Sequence, residues 1–147
     1  MLLDVGVWLA AVWGRHMHHR ATADWINGQT ADLLFCRVTQ MGLLRLLSNP
    51  AIMGEDAIDR SAAWRVFDQL WADERVLWAD EPDDLDAVWR AISARDDKSH
   101  KLWTDDYLAA FAQTSGATLA TLDGKLSARY PSVSVESLLV RPGRVGG

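Results

Sequence analysis

Three aspartates from distant parts of the chain are the residues whose types and positions can support chemistry. Asp4 and Asp123 each follow a short apolar run, and Asp105 lies early in a segment with helical spacing. Three converging carboxylates raise each other's pKa values unless a cation neutralises them. Oxygen-only ligands favour hard cations such as Mg²⁺ or Mn²⁺, which can orient water and stabilise charge on a phosphodiester. The residue types alone indicate a hard-metal site of low specificity.

The elements that must position these aspartates alternate along the chain. Short apolar runs predict buried strands over 2–5, 32–36, 76–79 and 117–121, with a fifth over 133–135. Periodic apolar residues predict helices over 7–13, 21–28, 40–47, 59–73, 83–94 and 103–114. Thr39 is the expected N-cap of the third helix, and Gly116 is the expected stop of the last. The pattern is typical of an α/β domain.

Strands alternating with helices predict a mostly parallel sheet of four to five strands with helices on both faces. The carboxyl ends of such strands form the functional edge, particularly at a topological switch point. Asp4 and Asp123 can therefore face one crevice. Asp105 and Asp106, with Thr104 as a candidate cap, are equally ordinary partners of a helix N-terminus. Consecutive helical residues differ by about 100° around the axis, so we expect only one of these two acids to enter a small site.

Length and composition limit the class of protein. The 147 residues suggest one domain over 1–140, followed by a disordered tail over 141–147. A net charge of -5 argues against a general nucleic-acid coat protein, and the single Cys36 excludes an internal disulfide and a multi-cysteine zinc site. No membrane span or signal peptide is predicted, so the cytoplasm is the expected location. The eight Trp are interpreted chiefly as core or partner-facing anchors.

Basic and imidazole side chains offer weaker candidates. The His cluster lacks helical ligand spacing and is interpreted as a solvated loop. The basic residues ahead of Asp105, and those flanking Gln40, can meet a phosphate chain, although solvated surface is the simpler interpretation. These candidates are His16, His18 and His19, then Lys98, His100 and Lys101, then Arg37 and Arg45. Neither a Gly-x-Ser-x-Gly elbow nor a Gly-rich nucleotide loop occurs in the sequence.

Four short segments in a fixed order resemble the PIN-domain ribonuclease toxins of the VapC type. They are LLDV over 2–5, RVTQMGLLRLL over 37–47, TDDYLAA over 104–110 and TLDGKL over 121–126. The resemblance covers nearly the whole chain and implies a PIN-like three-layer α/β nuclease domain over 1–140. It further implies Mg²⁺- or Mn²⁺-dependent endoribonuclease activity, a small VapB-like antitoxin partner and a homodimer. By position, Asp4, Asp105 and Asp123 match the family's metal-binding acids.

Two positions depart from the family pattern. Many members have Glu where this chain has Gln40, so the site carries three carboxylates instead of four; Gln40 is expected to hold a ligand or a water. Fewer charges favour one tightly held metal over two. The family usually has Asn or Ser at the position of Gly6, which cannot supply a supporting side chain. Both departures bear on the activity of the site.

The leading hypothesis is a metal-dependent endoribonuclease toxin acting on structured RNA such as tRNA or ribosomal RNA. Its catalytic residues would be Asp4, Gln40, Asp105 and Asp123, and its products a 3′-hydroxyl and a 5′-phosphate. The competing hypothesis is a catalytically weakened PIN-like interaction module that binds a partner protein through Trp-rich helices. A receiver-like domain phosphorylated on an aspartate fits less well, because the first strand lacks a second acidic residue beside it.

Overall fold

Five short strands form one parallel sheet in the computed structural model, which describes residues 1–139. The predicted tail over 141–147 lies outside the described residues. The strands are β1 (Leu2–Leu3), β2 (Leu33–Phe35), β3 (Val76–Trp78), β4 (Leu119–Thr121) and β5 (Val135–Ser137). Their spatial order is β3-β2-β1-β4-β5, and every neighbouring pair is parallel.

Eight helices connect and cover the strands over the described range. They are α1 (Val5–Val12), α2 (His19–Asn27), α3 (Arg37–Leu47), α4 (Pro50–Met53), α5 (Arg60–Trp71), α6 (Leu85–Ser93), α7 (Trp103–Ser115) and α8 (Leu126–Arg129). A short 3₁₀ turn over Gly54–Asp56 follows α4. None of the helices within residues 1–139 is both long enough and apolar enough to cross a membrane.

The strand order places a topological switch point between β1 and β4. From β1 the chain continues outward through β2 to β3, whereas β4 and β5 extend the sheet on the other side. Leu2 pairs with Leu119 and Leu3 pairs with Ala120, so these two central strands end side by side. Because open α/β sheets bind ligands in the crevice beyond such strand ends, this edge is where functional residues are expected.

Alternate residues of the central strands pack into two separate hydrophobic cores, one on each face of the sheet. Leu2 and Leu119 pack beneath α6 and α7 on one face. Leu3 and Ala120 belong to the other core, beneath α1, α3 and α5, where the indole of Trp8 stacks on Phe35 at 3.8 Å between ring centroids. Period-two alternation in a sheet buried on both faces produces this division. The predicted three-layer α/β architecture is confirmed.

Two predicted helix caps are wrong. The third helix begins at Arg37 and not at Gln40, because Cys36 is its N-cap and Thr39 is the third helical residue. The Thr39 hydroxyl accepts a hydrogen bond from the Cys36 amide at 3.0 Å, so it still satisfies the helix end from inside. In α7 the N-cap is Leu102, and Thr104 lies within the first turn. Gly116 ends α7 in the left-handed region (φ 74°), as predicted.

Gly42 provides the close approach between α3 and the start of α1. A Cβ atom at this position would lie 2.7 Å from Cγ2 of Val5, the residue that follows Asp4. We expect Gly42→Ala to destabilise the fold by about 1–3 kcal/mol, because the branched side chain of Val5 has little room to move away from the added methyl group. Urea unfolding checks this, with Gly6→Ala as the matched control.

Gly6 also lies in a helix, but a Cβ there meets nothing within 4 Å. Gly6→Ala should therefore stabilise the protein by roughly 0.5–1 kcal/mol through helix propensity and reduced unfolded-state entropy. Equal effects of the two substitutions would contradict the proposed packing of α3 on α1.

Candidate active site

Asp4 lies between the end of β1 and the first turn of α1, where it acts as the helix N-cap. Its Oδ1 accepts a hydrogen bond from the Val5 amide at 2.7 Å, and its own amide donates to the Ala120 carbonyl at 2.9 Å. A charged residue thus follows an apolar strand because the chain turns there from sheet to helix and leaves an unpaired amide. The second carboxylate oxygen points toward β4.

Thr121 connects the ends of the two central strands. Its side chain is buried at the end of β4, and its hydroxyl donates to Oδ2 of Asp4 at 3.1 Å. The Thr121 hydroxyl oxygen also accepts a hydrogen bond from the Asp123 amide at 3.0 Å. Asp123 is held further by the Lys125 amide, which donates to its Oδ1 at 2.9 Å. One hydroxyl therefore orients Asp4 and the turn that carries Asp123.

The adjacent aspartates of α7 have different environments. Oδ2 of Asp105 accepts from the Arg129 guanidinium at 3.3 Å. Asp106 is buried and accepts a short hydrogen bond from the Tyr130 hydroxyl. The helical rotation of about 100° per residue separates them in this way. Asp105 faces the other two acids, whereas Asp106 anchors the segment that follows β4.

Burial and mutual repulsion shift the ionisation of these acids. Burial raises the pKa of Asp4, and the Asp123 charge raises it further, against the hydrogen bonds from Val5 and Thr121. Burial and the Asp4 charge raise the pKa of Asp105 to about 6, although Arg129 opposes the shift. Negative charge is therefore concentrated here beyond what the surrounding groups neutralise.

Arg129 is the cation that pairs with two of these acids. Its Nη1 lies 3.3 Å from Oδ2 of Asp105 and 4.0 Å from Oδ2 of Asp123, and its side chain is 30% exposed. Within residues 1–139, no three acidic, His or Cys side chains already form a group compact enough to hold a metal ion. The aspartates interact electrostatically, but Arg129 occupies the space between two of them.

Gln40 is buried on the first turns of α3, and its side chain is already bonded. Its Oε1 accepts a hydrogen bond from Nη1 of Arg37 at 2.7 Å. The Arg37 guanidinium in turn lies 4.6 Å from the centre of the Trp78 ring, at the end of β3. Arg37, considered as a phosphate contact from the sequence, thus positions Gln40 in this structure.

Sequence reasoning missed Arg129 and the linking role of Thr121. Thr121 begins the segment TLDGKL, and its hydroxyl, two residues before Asp123, is the only feature of the sequence that indicates its contact with the acids. Arg129 lies at the end of α8, and nothing in the sequence indicates its contact with Asp105, because the two residues are 24 positions apart.

The His cluster makes contacts with the backbone. His19 donates to the Ala10 carbonyl at 2.7 Å, and His16 accepts from the His18 amide at 3.0 Å.

Comparison with known proteins shows the family to which this fold belongs. The family model described as "PIN domain" matches residues 1–130. The chain belongs to the PIN-domain family. It is 40% identical over 129 residues to Ribonuclease VapC41 of Mycobacterium tuberculosis, a match covering 84% of this chain and 88% of that protein. Ribonuclease VapC29 of the same organism is 32% identical over 136 residues, covering 92% and 94%. These matches make the chain a VapC-type member.

A solved structure has the same fold. VapBC2 from Rickettsia felis, crystallised with a DNA fragment from its promoter, matches with a TM-score of 0.65, covering 92% of this chain and 96% of that one. Sequence identity is 12%, so this likeness supports the PIN architecture alone. The fold expected from the sequence is thus confirmed by family model, relatives and structure together.

The donor set of this PIN domain fits a hard divalent cation. Asp4, Asp105 and Asp123 offer only carboxylate oxygens, which are the ligands that Mg²⁺ and Mn²⁺ prefer. Burial is the largest cause of the raised pKa values of Asp4 and Asp105, and repulsion from the neighbouring acids adds to it. A second cation beside Arg129 would relieve that repulsion.

The raised pKa of Asp105 sets a pH dependence for the metal-free protein. Between about pH 4, where the unfolded side chain ionises, and about pH 6, the folded chain binds more protons than the unfolded one. The free energy of unfolding should therefore fall as pH rises through this window, and Asp4 acts in the same direction. Urea titrations in EDTA from pH 4 to 7 measure it.

The matched variant for this pH dependence is Asp105→Asn, which removes the titrating group. Its stability should change less between pH 4 and 6 than that of the wild type. A slope identical to the wild-type slope would contradict the prediction. Asp73 does not affect stability between pH 4 and 6. Hydrogen bonds from Arg75 lower the pKa of Asp73 to about 2, so its contribution to the free energy of unfolding is lost only as pH falls below about 4.

Proposed function

We propose that this VapC-type PIN domain, extending over 1–140, is a metal-dependent endoribonuclease toxin. The observation that carries the proposal is the meeting of Asp4, Asp105 and Asp123 at the switch point, with the pKa of the first two raised. Excess negative charge at a ligand-binding edge is costly to folding and is expected where function requires it. The ribonuclease names of the relatives support the same substrate class.

Asp4, Asp105 and Asp123 are the residues that would hold Mg²⁺ or Mn²⁺. Such a cation would supply a water of lowered pKa and charge stabilisation on the phosphodiester, and hydrolysis would leave a 3′-hydroxyl and a 5′-phosphate. Thr121 orients Asp4 and Asp123 through the two hydrogen bonds of its hydroxyl. Gln40, whose Oε1 is bonded to Arg37, is the residue that would orient a ligand or a water.

The proposed substrates are structured RNAs such as tRNA or ribosomal RNA. Relatives named ribonucleases support RNA as the polymer, and the family resemblance supports the structured class. The net charge of -5 makes this chain a poor general binder of polyanions. Selection of RNA must therefore come from local positive groups beside the acidic site.

The proposed regulator is a VapB-like antitoxin. Two helices expose large apolar residues next to each other: Met41 of α3 is 52% exposed and Trp64 of α5 is 49% exposed. They line a cavity of about 230 Å³ together with Leu44. An apolar segment of the antitoxin, or a second copy of the chain in a homodimer, would cover this surface.

Cleavage of purified RNA tests the proposed activity. We expect the wild type to cut tRNA or ribosomal RNA in Mn²⁺ or Mg²⁺ and to stop in EDTA. Asp4→Asn and Asp123→Asn should lose cleavage while retaining the wild-type circular dichroism spectrum. Cleavage that survives intact in both variants would refute the mechanism.

A weakened interaction module is the second candidate, and two contacts favour it. The Gln40 carbonyl oxygen is already bonded to Arg37, and Arg129 already bridges two of the acids. Under this hypothesis the chain would bind an antitoxin but neither metal nor RNA. Antitoxin binding combined with a complete lack of Mn²⁺ affinity would support it over the endoribonuclease.

A further inference from the structure

A cavity of about 310 Å³ opens beside the acidic site and has no role in the arrangement described so far. It lies between the end of α6, the loop over 94–102 and the start of α7. Arg129, which bridges Asp105 and Asp123, also forms part of its wall. A group bound in the cavity would thus lie next to a group held at the carboxylates.

The cavity combines an open aromatic face with positive charge. Trp103 lines it and is 57% exposed, the highest exposure among the tryptophans of the described chain. Its carbonyl accepts a hydrogen bond from the Trp89 indole at 3.3 Å, and the two rings meet edge to face at 6.3 Å, which holds the first turn of α7 in place. Exposed indoles are the surfaces on which unstacked bases pack.

Charges around the cavity are unevenly distributed. Arg95 and Lys98 line it beside the carboxylates of Asp97 and Asp106, and Arg129 lines it too but is already paired with Asp105 and Asp123. Asp106 is bonded to Tyr130, and Asp97 accepts a hydrogen bond from the Ser99 amide at 3.0 Å. Among residues 1–139, Lys98 forms no ion pair. In a chain of net charge -5, Arg95 and Lys98 therefore provide a local attraction for a phosphate.

We propose that this cavity is the subsite for one unpaired nucleotide next to the scissile phosphate. The base stacks on Trp103, and the backbone phosphate meets Lys98 and Arg95 at the rim. A volume of about 310 Å³ is at the lower end of the range for small-molecule pockets, roughly 300–1,000 Å³, and suits one nucleotide instead of a duplex. The inference rests on the proposed function and adds that Trp103, Lys98 and Arg95 hold the nucleotide beside the scissile phosphate.

Binding measured without metal tests the subsite separately from catalysis. The probe is a fluorescein-labelled random-sequence single-stranded RNA of 12 nucleotides, titrated with the full chain in EDTA and followed by fluorescence anisotropy. Trp103→Ala should weaken binding about tenfold or more, and Trp103→Phe should restore much of the loss because an aromatic face remains. Trp71→Ala, at an exposed indole of α5, should bind as the wild type does.

The salt dependence tests the phosphate contacts. Removal of two contacts to a single strand should reduce the slope of log affinity against log salt by about 1.4 in Arg95→Ala/Lys98→Ala. A duplex RNA of the same length should compete poorly. The proposal is overturned if the wild type does not bind the probe, if Trp103→Ala binds as tightly as the wild type, or if duplex competes equally.

Failure of the subsite and failure of the proposed activity give different results. If the wild type cleaves RNA in Mn²⁺ but binding in EDTA is indifferent to Trp103, the subsite is wrong and the nuclease stands. If binding depends on Trp103 but no metal supports cleavage, the subsite stands as a single-strand binding site and the nuclease proposal fails.

Discussion

Replacement of Asp105 by Asn should abolish RNA cleavage without loss of stability. The variant removes one of the three carboxylates proposed to hold the metal, and several kcal/mol of transition-state stabilisation correspond to at least about 100-fold in rate. In the wild type, the charge of Asp105 destabilises the metal-free fold at pH 7, because burial and the Asp4 charge raise the pKa of Asp105 to about 6. The unfolding free energy at pH 7 should therefore stay equal or increase. Cleavage rates and urea unfolding of the same samples provide the measurement.

Tyr130→Phe is the matched control for Asp105→Asn. It removes the hydrogen bond to the neighbouring, buried Asp106 and leaves the Asp105 contact with Arg129 in place. An acceptor that loses its buried partner costs roughly 1–3 kcal/mol, so this variant should lose stability and keep its cleavage rate while folded. The reverse pattern, an active Asp105→Asn and an inactive Tyr130→Phe, would contradict the assignment of the two aspartates.

Replacement of Arg129 by Met should raise the affinity for Mn²⁺ tenfold or more. The guanidinium lies 3.3 Å from Asp105 and 4.0 Å from Asp123, and it repels any divalent cation that those acids would share. Met keeps the aliphatic volume without the charge. The metal-free variant should be less stable than the wild type, because two acids lose their only close cation in the described chain. Calorimetric titration and thermal unfolding with and without Mn²⁺ measure both effects.

Arg15→Met is the control for the loss of one positive charge. Arg15 forms a 3.4 Å pair with Asp56 and, within residues 1–139, no ion pair with any of the three acids, and its side chain is 76% exposed. It should leave the Mn²⁺ affinity within about twofold of the wild-type value, because salt screens distant exposed charges. An unchanged or weaker affinity in Arg129→Met would show that the arginine does not compete with the metal.

The architecture followed from the sequence because its signals are local. Apolar runs such as 33–35 and 119–121 encode strands, and Gly116 marks a helix end that only a residue tolerating positive φ occupies easily. The caps were less predictable: Thr39 is a good N-cap residue by type, but its hydroxyl bonds the Cys36 amide from inside the helix. A Thr near a helix start can be the N-cap itself, or it can bond the N-cap residue from the third helical position.

The candidate site was predictable in part. Strand ends predicted that Asp4 and Asp123 meet at one edge, and helical rotation predicted that only one of Asp105 and Asp106 joins them. The family resemblance selected Asp105. The contacts that neutralise or orient these acids were not predictable. Arg129 reaches Asp105 across 24 residues, and Thr121 reaches Asp4 across 117. Such pairings depend on the tertiary arrangement, which neither periodicity nor spacing encodes.

Calorimetric titration of Mn²⁺ into the purified chain and into Asp4→Asn, with Gln40→Glu as a third sample, tests whether the three aspartates hold a metal ion. We expect the wild type to bind the ion, Asp4→Asn to lose binding while remaining folded, and the added carboxylate of Gln40→Glu to tighten binding. No binding to the wild type, together with clear binding to Gln40→Glu, would contradict this expectation. That result would mean that the three aspartates are too few to hold the ion on which the proposed activity depends.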